Sequence, residues 1–261
     1  MDHSIVDAPY GEIVENEARF GQDVSAFARV ELEFTADAKQ MEVLTAGGKR
    51  VMLCCSRQWG KSTVAAVLAT HHLLSQPKAV IGVMCPVESQ AAELLRKVRE
   101  FLTQLHIPFT TDRIHRQSIE LKGGARMMAV SSRADSVRGL SAVTLLIVDE
   151  AAYVADDVYD ALRPALAVSG GTIWLISTPA DKQGFFWQSW EKETVEEWKR
   201  FLVTAKDCPR LSAEFLQEEL RTRGERRFRQ EYECEFLEDL RAVWNVDLLL
   251  TSVAGFRPLE A

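Results

Sequence analysis

Between Cys54 and Thr63 the chain reads CCSRQWGKST, with an apolar run before it and an alanine-rich helical pattern after it. A phosphate-binding loop of the form G-x-x-x-x-G-K-[ST] has its second half here in Gly60, Lys61 and Ser62, while Cys55 stands where the first glycine would be. Each retained residue has a separate task on a nucleoside triphosphate. Gly60 permits close approach of the backbone to phosphate, Lys61 reaches the β and γ phosphates, and Ser62 ligates Mg²⁺ at a helix start. An ordinary glycine-containing turn is the plainer account of a lone GKS. The strand, loop and helix pattern around it, with Val51–Cys55 as strand and Thr63–Leu74 as helix, favours the phosphate loop.

A second chemical signal is LLIVDE, Leu145–Glu150, an apolar run ending in two carboxylates. Such a run is expected to be a central strand buried on both faces. Asp149 at its end is placed to hold Mg²⁺ and its water, and Glu150, one residue on, to polarise the attacking water. A solvated helix cap is the better account of an Asp-Glu pair standing alone, and the upstream GKS turns the reading against it.

The elements that must position these groups are legible as an alternation. A helix is expected over Ala36–Thr45, then apolar strands at Ala79–Met84, Ala125–Val130, Val143–Val148 and Thr172–Ile176, with helical patterns at Glu88–Leu105 and Asp157–Val168 between them. This predicts an α/β fold: a central, mainly parallel sheet flanked by helices, with the ligand at the carboxyl ends of the strands. Residues 1–33 read as a mixed polar lead-in, 34–179 as the core, and 180–261 as a small helical subdomain and tail. Strand signals thin out in that last stretch apart from Phe201–Ala205.

Composition sets the frame. The 261 residues, 47% hydrophobic and 26% charged, suit one sizeable globular core. Five cysteines without a C-x-x-C pair argue against a structural zinc site or a disulfide framework, and suggest a reducing compartment. No apolar stretch reaches membrane-spanning length, and Asp2, Asp7 and Glu12 occupy the end where a secretory signal carries positive charge. No membrane partner is expected. The formal net charge of -7 argues against a chain that coats nucleic acid over its whole surface and leaves room for a local basic track.

Taken together, SRQWGKS (Ser56–Ser62), SVRG (Ser136–Gly139), LLIVDEAA (Leu145–Ala152) and ISTP (Ile176–Pro179) resemble, in order and approximate spacing, the ATPase domain of the large terminase subunit of tailed bacteriophages. The resemblance covers about residues 34–240. That family tolerates a loop of the form x-x-S-R-Q-x-G-K-[ST], which accounts for the missing first glycine. It implies a P-loop NTPase fold of the ASCE type, ATP and Mg²⁺ as cofactors, and ATP hydrolysis that drives double-stranded DNA into a procapsid.

Several roles rest on the resemblance alone. Ser56, Arg57, Gln58, Trp59, Gly60, Lys61, Ser62 and Thr63 form the nucleotide cradle; Arg57 adds positive charge toward the triphosphate. Arg138 matches an arginine inserted across a subunit boundary, where such a finger is worth roughly 10³ to 10⁵ in rate in other NTPases. Arg133 and Arg138 as decoration of an exposed loop is the plainer alternative. Thr178, in the segment matching the coupling motif, senses the γ phosphate and passes its loss onward through the stiff Pro179 turn. Gln40 is similar to the glutamine that reads the adenine edge, although Ala38 and Lys39 replace the usual proline and aromatic neighbours. The partners implied are duplex DNA, a viral portal protein, a small terminase subunit and further copies of the chain, as a pentamer at the portal vertex in the host cytoplasm.

Other features stay open on the residues. Arg221, Arg223, Arg226, Arg227 and Arg229 offer phosphate contacts, yet Glu218, Glu219, Glu225 and Glu231 interleave with them, as in a solvated helix laced by ion pairs. Phe185, Phe186, Trp187 and Trp190 read as subdomain core. His71 and His72 lack partners at metal spacing, so no metal beyond nucleotide Mg²⁺ is expected. Asp239 and Asp247 are too few for a two-metal nuclease site, and no nuclease activity is expected in these residues. A helicase-like ATPase needs a second motor domain for which too few residues remain after Pro179. A non-enzymatic DNA or portal adaptor predicts loss of Lys61 or Glu150, and both are present.

Overall fold

The computed structural model describes residues 19–21, 23–112, 117–130, 141–191 and 198–238. Among these, eight strands form one sheet: β1 (Arg50–Cys55), β2 (Val80–Met84), β3 (Phe109–Thr110), β4 (Ser118–Leu121), β5 (Arg126–Val130), β6 (Leu145–Asp149), β7 (Thr172–Ser177) and β8 (Lys199–Val203). Their spatial order is β3-β4-β5-β2-β6-β7-β1-β8. The six strands from β5 to β8 in that order pair in parallel, and β3 and β4 attach antiparallel at one edge. The α/β class and the mainly parallel sheet follow the alternation in the sequence. β8, from the last third of the chain, joins this sheet beside β1.

Strands covered on both faces send alternate side chains to opposite sides, and the two cores divide accordingly. Val51, Leu53 and Cys55 of β1 join Ile81, Val83, Ile147 and Ile176 in one core; Met52 and Cys54 join Met84, Leu146, Val148 and Leu175 in the other. The first core is closed by α1 (Val24–Val30), α2 (Ala38–Leu44), α3 (Lys61–Ser75) and α4 (Glu88–Gln104). The second is closed by α5 (Asp156–Leu162), a 3₁₀ turn at Arg163–Leu166, and α6 (Gly184–Glu191). Two further helices, α7 (Ala213–Arg223) and α8 (Glu225–Tyr232), follow β8. Phe185 and Phe186, expected in a subdomain core, are buried in the second core against the main sheet, Phe185 stacking on Tyr159 at 3.9 Å between ring centres.

Local sequence explains the helices. On α4 the buried positions are Ala91, Leu94, Leu95, Val98 and Leu102, one apolar stripe at helical period, and burying each leucine is worth about 1.5–3 kcal/mol. Its outer face carries Arg96 between Glu93 and Glu100, ion pairs of modest value in solvent. The small residues Ala65, Ala66 and Ala69 let α3 sit close under the sheet. Asp37 and Gln40 form a reciprocal capping box on α2. All five cysteines are free and buried. A hydrogen bond with Cys234, reinforced by burial, holds the Cys54 thiol well above its ordinary range, and burial does the same to Cys55 and Cys85.

His72 on α3 is locked to the sheet. Thr144 Oγ1 donates to the Val80 carbonyl at 3.1 Å and accepts from Val80 N at 3.0 Å, so His72 Nε2, 2.9 Å away, carries the proton that it donates to Thr144. Burial, with His71 adding to it, pulls the His72 pKa down to about 4. A histidine whose folded pKa lies below its unfolded value binds fewer protons when folded, so its contribution is intact above about pH 6.5 and is lost as pH falls toward 4. The loss is expected to reach about 3 kcal/mol. Urea unfolding at pH 7.5, 5.5 and 4.5 checks it: His72→Gln should show a shallower fall in stability with acid than the wild type.

At the entry to β7, a Cβ on Gly171 would lie 2.2 Å from the Val143 carbonyl oxygen and 2.9 Å from that of Thr144. Both obstacles are backbone. Gly171→Ala is expected to lower stability by about 1–3 kcal/mol in the same unfolding assay.

Candidate functional site

Parallel strands present their carboxyl ends together, and the chemically loaded residues of the sequence all lie there. The loop after β1 turns through Gln58 and Gly60, at φ 61° and 101°, and Gly60 is the residue that precedes α3. Glycine is favoured at position 60 by its positive φ, and a Cβ there would also press on Gln40 Nε2, 3.0 Å away. Lys61 and Ser62 open α3, where backbone N–H groups are unpaired and the helix dipole favours an anion.

β7 lies between β1 and β6, so the loop and the Asp-Glu corner are two strand spacings, about 10 Å, apart at the backbone. Side chains close that gap. Lys61 Nζ sits 2.9 Å from Glu150 Oε1, with only 16% and 19% of the two side chains exposed. Ser62 Oγ lies 3.5 Å from Asp149 Oδ2. Glu150 occupies the left-handed region at φ 54°, ψ 42°, a strained conformation for a non-glycine residue that turns its carboxylate back over the strand ends. Ser177, at the end of β7, accepts from Ala152 N at 3.2 Å and reaches Glu150 Oε2 at 3.5 Å. Thr178 hydrogen-bonds Tyr153, one turn beyond Glu150.

The electrostatics follow from burial. Asp149, 4% exposed, has its pKa raised to about 6 by burial, with Glu150 adding to the shift and Lys61 opposing it. Burial works against the charge on Lys61, but Glu150, Cys55 and Asp149 outweigh it and hold the ammonium above its ordinary value. A hydroxyl and a carboxylate beside an ammonium, at a helix N-terminus, are the donor set that suits a hard divalent cation and a phosphate chain.

A cavity of about 580 Å³ opens over this corner, lined by Arg57, Gln58, Gly60, Lys61, Ser62, Glu150 and Thr178 from the sequence-derived set. Others of that set lie outside its lining. Ser56 and Trp59 are fully buried, and Thr63 Oγ1 accepts from Lys97 at 3.1 Å. Gln40 is 3% exposed, and its amide serves the protein: Nε2 donates to the Trp59 carbonyl at 3.1 Å and Oε1 accepts from Asp37 N at 3.1 Å. In place of an open edge for a base, it gives the loop a prop. Arg133 and Arg138, with the rest of SVRG, fall outside the described residues, as do Asp239 and Asp247.

The structure adds residues that no local motif announced. Arg210 donates to the Trp59 carbonyl and pairs with Asp37 Oδ2 at 3.0 Å, so the loop carbonyl is gripped from two directions. Glu231 of α8 lies 3.2 Å from Arg57 Nη1, and its carbonyl accepts from Arg57 N at 2.9 Å. Pro86 and Val87, Gln90 and Lys97 of α4, and Tyr153 also line the cavity. Of the arginines weighed for nucleic acid, Arg223 pairs with Glu219 and Glu231, Arg226 with Asp181, and Arg229 with Glu235, the pattern of an ion-pair-laced helix. Only the regular interleaving of Arg and Glu signalled this in the sequence.

Similarity to known proteins extends over most of the chain. Residues 52–251 match the family described as terminase large subunit, T4likevirus-type, N-terminal. The large terminase subunit of Escherichia phage T5 is 31% identical over 192 residues, covering 71% of this chain and 43% of that protein. That of Thermus phage G20c is 27% identical over 247 residues, covering 81% and 51%. The chain thus spans about half the length of the curated relatives it matches. Among solved structures, the large terminase ATPase domain of Thermus phage P74-26 superposes with a TM-score of 0.72 at 24% identity, over 80% of this chain and 97% of that one. The HK97 bacteriophage large terminase gives 0.68 at 19% identity, over 84% and 55%. The fold is therefore shared with the P74-26 ATPase domain, a P-loop NTPase-like fold of the ASCE type, and the extent of the sequence match establishes that this chain belongs to the terminase large-subunit family.

Proposed function

We propose that this chain is the ATP-hydrolysing motor domain of a DNA-packaging machine, driving duplex DNA into a viral procapsid. The observation that carries the reading is the meeting of Lys61 and Ser62 with Glu150 and Asp149 over one cavity at the strand ends. Mg²⁺, when bound, neutralises phosphate charge, and Ser62 and Asp149 are the residues that would hold it.

Lys61 and Glu150 restrain one another at 2.9 Å. A γ phosphate competes for the ammonium, and once Lys61 turns to it the Glu150 carboxylate is released to accept a proton from the attacking water. Ser177 keeps a second hold on that carboxylate and orients it. Arg57 supplies further positive charge toward the triphosphate, and in doing so draws on the side chain that Glu231 holds, which links nucleotide occupancy to α8. Thr178 and Tyr153 form a parallel link at the end of β7. Arg138 from a neighbouring subunit completes the charge at the transition state. Under this reading the working assembly is a homo-pentamer on the portal protein in the host cytoplasm, with a small terminase subunit as a further partner.

Steady-state phosphate release over a protein-concentration series, with and without linear duplex DNA, tests the site. Wild-type turnover is expected to rise more than proportionally with protein, and Glu150→Ala to reduce kcat by about 10²–10⁴ while still binding ATP. Turnover absent from the wild type at every concentration, with ATP bound, would favour an adaptor.

Arg210 acts as a positioning residue through the Trp59 carbonyl and should affect binding more than chemistry. Arg210→Ala is expected to cost about 1 kcal/mol of loop positioning, or roughly fivefold in KM for ATP. Little change in kcat is expected, and Arg210→Lys should recover part of the loss.

A further inference from the structure

One wall of the nucleotide cavity owes nothing to the phosphate loop or to the Asp-Glu corner. Pro86 and Val87 follow β2, Gln90 and Lys97 belong to α4, and all four line the same space as Lys61, Ser62 and Glu150. β2 pairs with β6, so α4 approaches the cavity from the side of Asp149 and Glu150, where a γ phosphate would meet its attacking water.

Gln90 and Lys97 are seven residues apart, a spacing that returns an α-helix almost to the same angle after two turns, so they share one stripe of α4. Beside that stripe Ala91, Leu94, Leu95, Val98 and Leu102 are buried in the core. Side chains on a helix lean toward its amino end, and from position 97 that lean carries the half-buried lysine toward the cavity. Its Nζ donates to Thr63 Oγ1 at 3.1 Å, in the first turn of α3, where unpaired N–H groups already favour an anion. Glu93 and Glu100, about one turn to either side on α4, are both engaged by Arg96.

We infer, on the reading of this cavity as a nucleotide site, that Lys97 binds the γ phosphate of ATP as a second ammonium beside Lys61. The two lysines differ in what each must give up. Lys61 is paired with Glu150 at 2.9 Å and has to break a largely covered ion pair before it turns to phosphate. Lys97 exchanges a neutral hydroxyl for a charged oxygen, which makes the stronger hydrogen bond. It therefore engages the terminal phosphate first, and its charge stays beside those oxygens while Lys61 and Glu150 separate. Thr63 acts as a positioning residue that holds the ammonium at the rim until nucleotide arrives. ADP lacks the group that Lys97 recognises, so the contact favours the triphosphate over the diphosphate.

Calorimetric titration with Mg²⁺ and either the β,γ-imido analogue of ATP or ADP tests the assignment. Lys97→Met, which keeps the aliphatic stem, is expected to weaken the triphosphate analogue by about tenfold or more and ADP by less than about twofold. Lys97→Arg should recover most of the loss. Arg96→Met, the neighbouring change of charge on the outer face of α4, should leave both affinities within about twofold, and thermal unfolding should be unaltered in all three variants. Unchanged affinity for the analogue in Lys97→Met overturns the inference. Equal weakening of the analogue and ADP overturns it too, and reduces Lys97 to a brace between α4 and Thr63. A wild type that binds neither nucleotide removes the nucleotide reading itself, an outcome distinct from a wild type that binds both and a variant that matches it.

Discussion

An ammonium and a carboxylate, each more than four-fifths covered, face one another across the end of β7, and most of what surrounds them exists to keep them there. Such a pair is poorly tolerated when broken, because either member alone is a charge removed from water without compensation. The constraint fixes two distant stretches of sequence at once. The loop after β1 must aim Lys61 across the gap, and the corner after β6 must adopt a left-handed turn at Glu150 to meet it. Strain at Glu150 is held in place by the buried strand behind it and by Ser177 beside it.

The loop itself is held from three sides. Gln40 and Arg210 both grip the Trp59 carbonyl, and Arg57 is tied through backbone and side chain to Glu231. Two of those three restraints come from residues after β8. The segment after β8 therefore completes the phosphate loop, through Arg210 ahead of α7 and Glu231 on α8, and any motion that shifts α8 against the sheet acts first on Arg57. Exposed ion pairs such as Arg229 with Glu235 contribute little to stability and are easily exchanged.

Much of the core was legible in the sequence because β1, β2, β6 and β7 are apolar runs buried on both faces, and α4 is a clean amphipathic stripe. The antiparallel β3 and β4 were not, since two- and four-residue strands of mixed polarity carry no periodic signal. The helix expected over Asp157–Val168 divides at Pro164 into α5 and a 3₁₀ turn, as the missing proline N–H dictates. α1 lies within a stretch read as lead-in, its cap at Asp23 obscured by the polar residues around it. At the site, Lys61, Ser62, Asp149 and Glu150 were readable because each belongs to a local motif. Arg210, Glu231 and Tyr153 were not, because their roles arise from contacts between segments far apart in sequence. Gln40 shows the intermediate case: the capping box with Asp37 that occupies its amide oxygen is a local signature, whereas the bond from its Nε2 to the Trp59 carbonyl joins segments far apart in sequence.

The cysteines have a practical consequence. Maleimides and related reagents attack the thiolate, and here every thiol is buried while Cys54, Cys55 and Cys85 also resist ionisation. The folded protein is in effect blank toward such reagents. A single cysteine introduced at an exposed position would carry a fluorophore or spin label by itself, so distances between the sheet and its last helices become measurable without first stripping out the native sulfur.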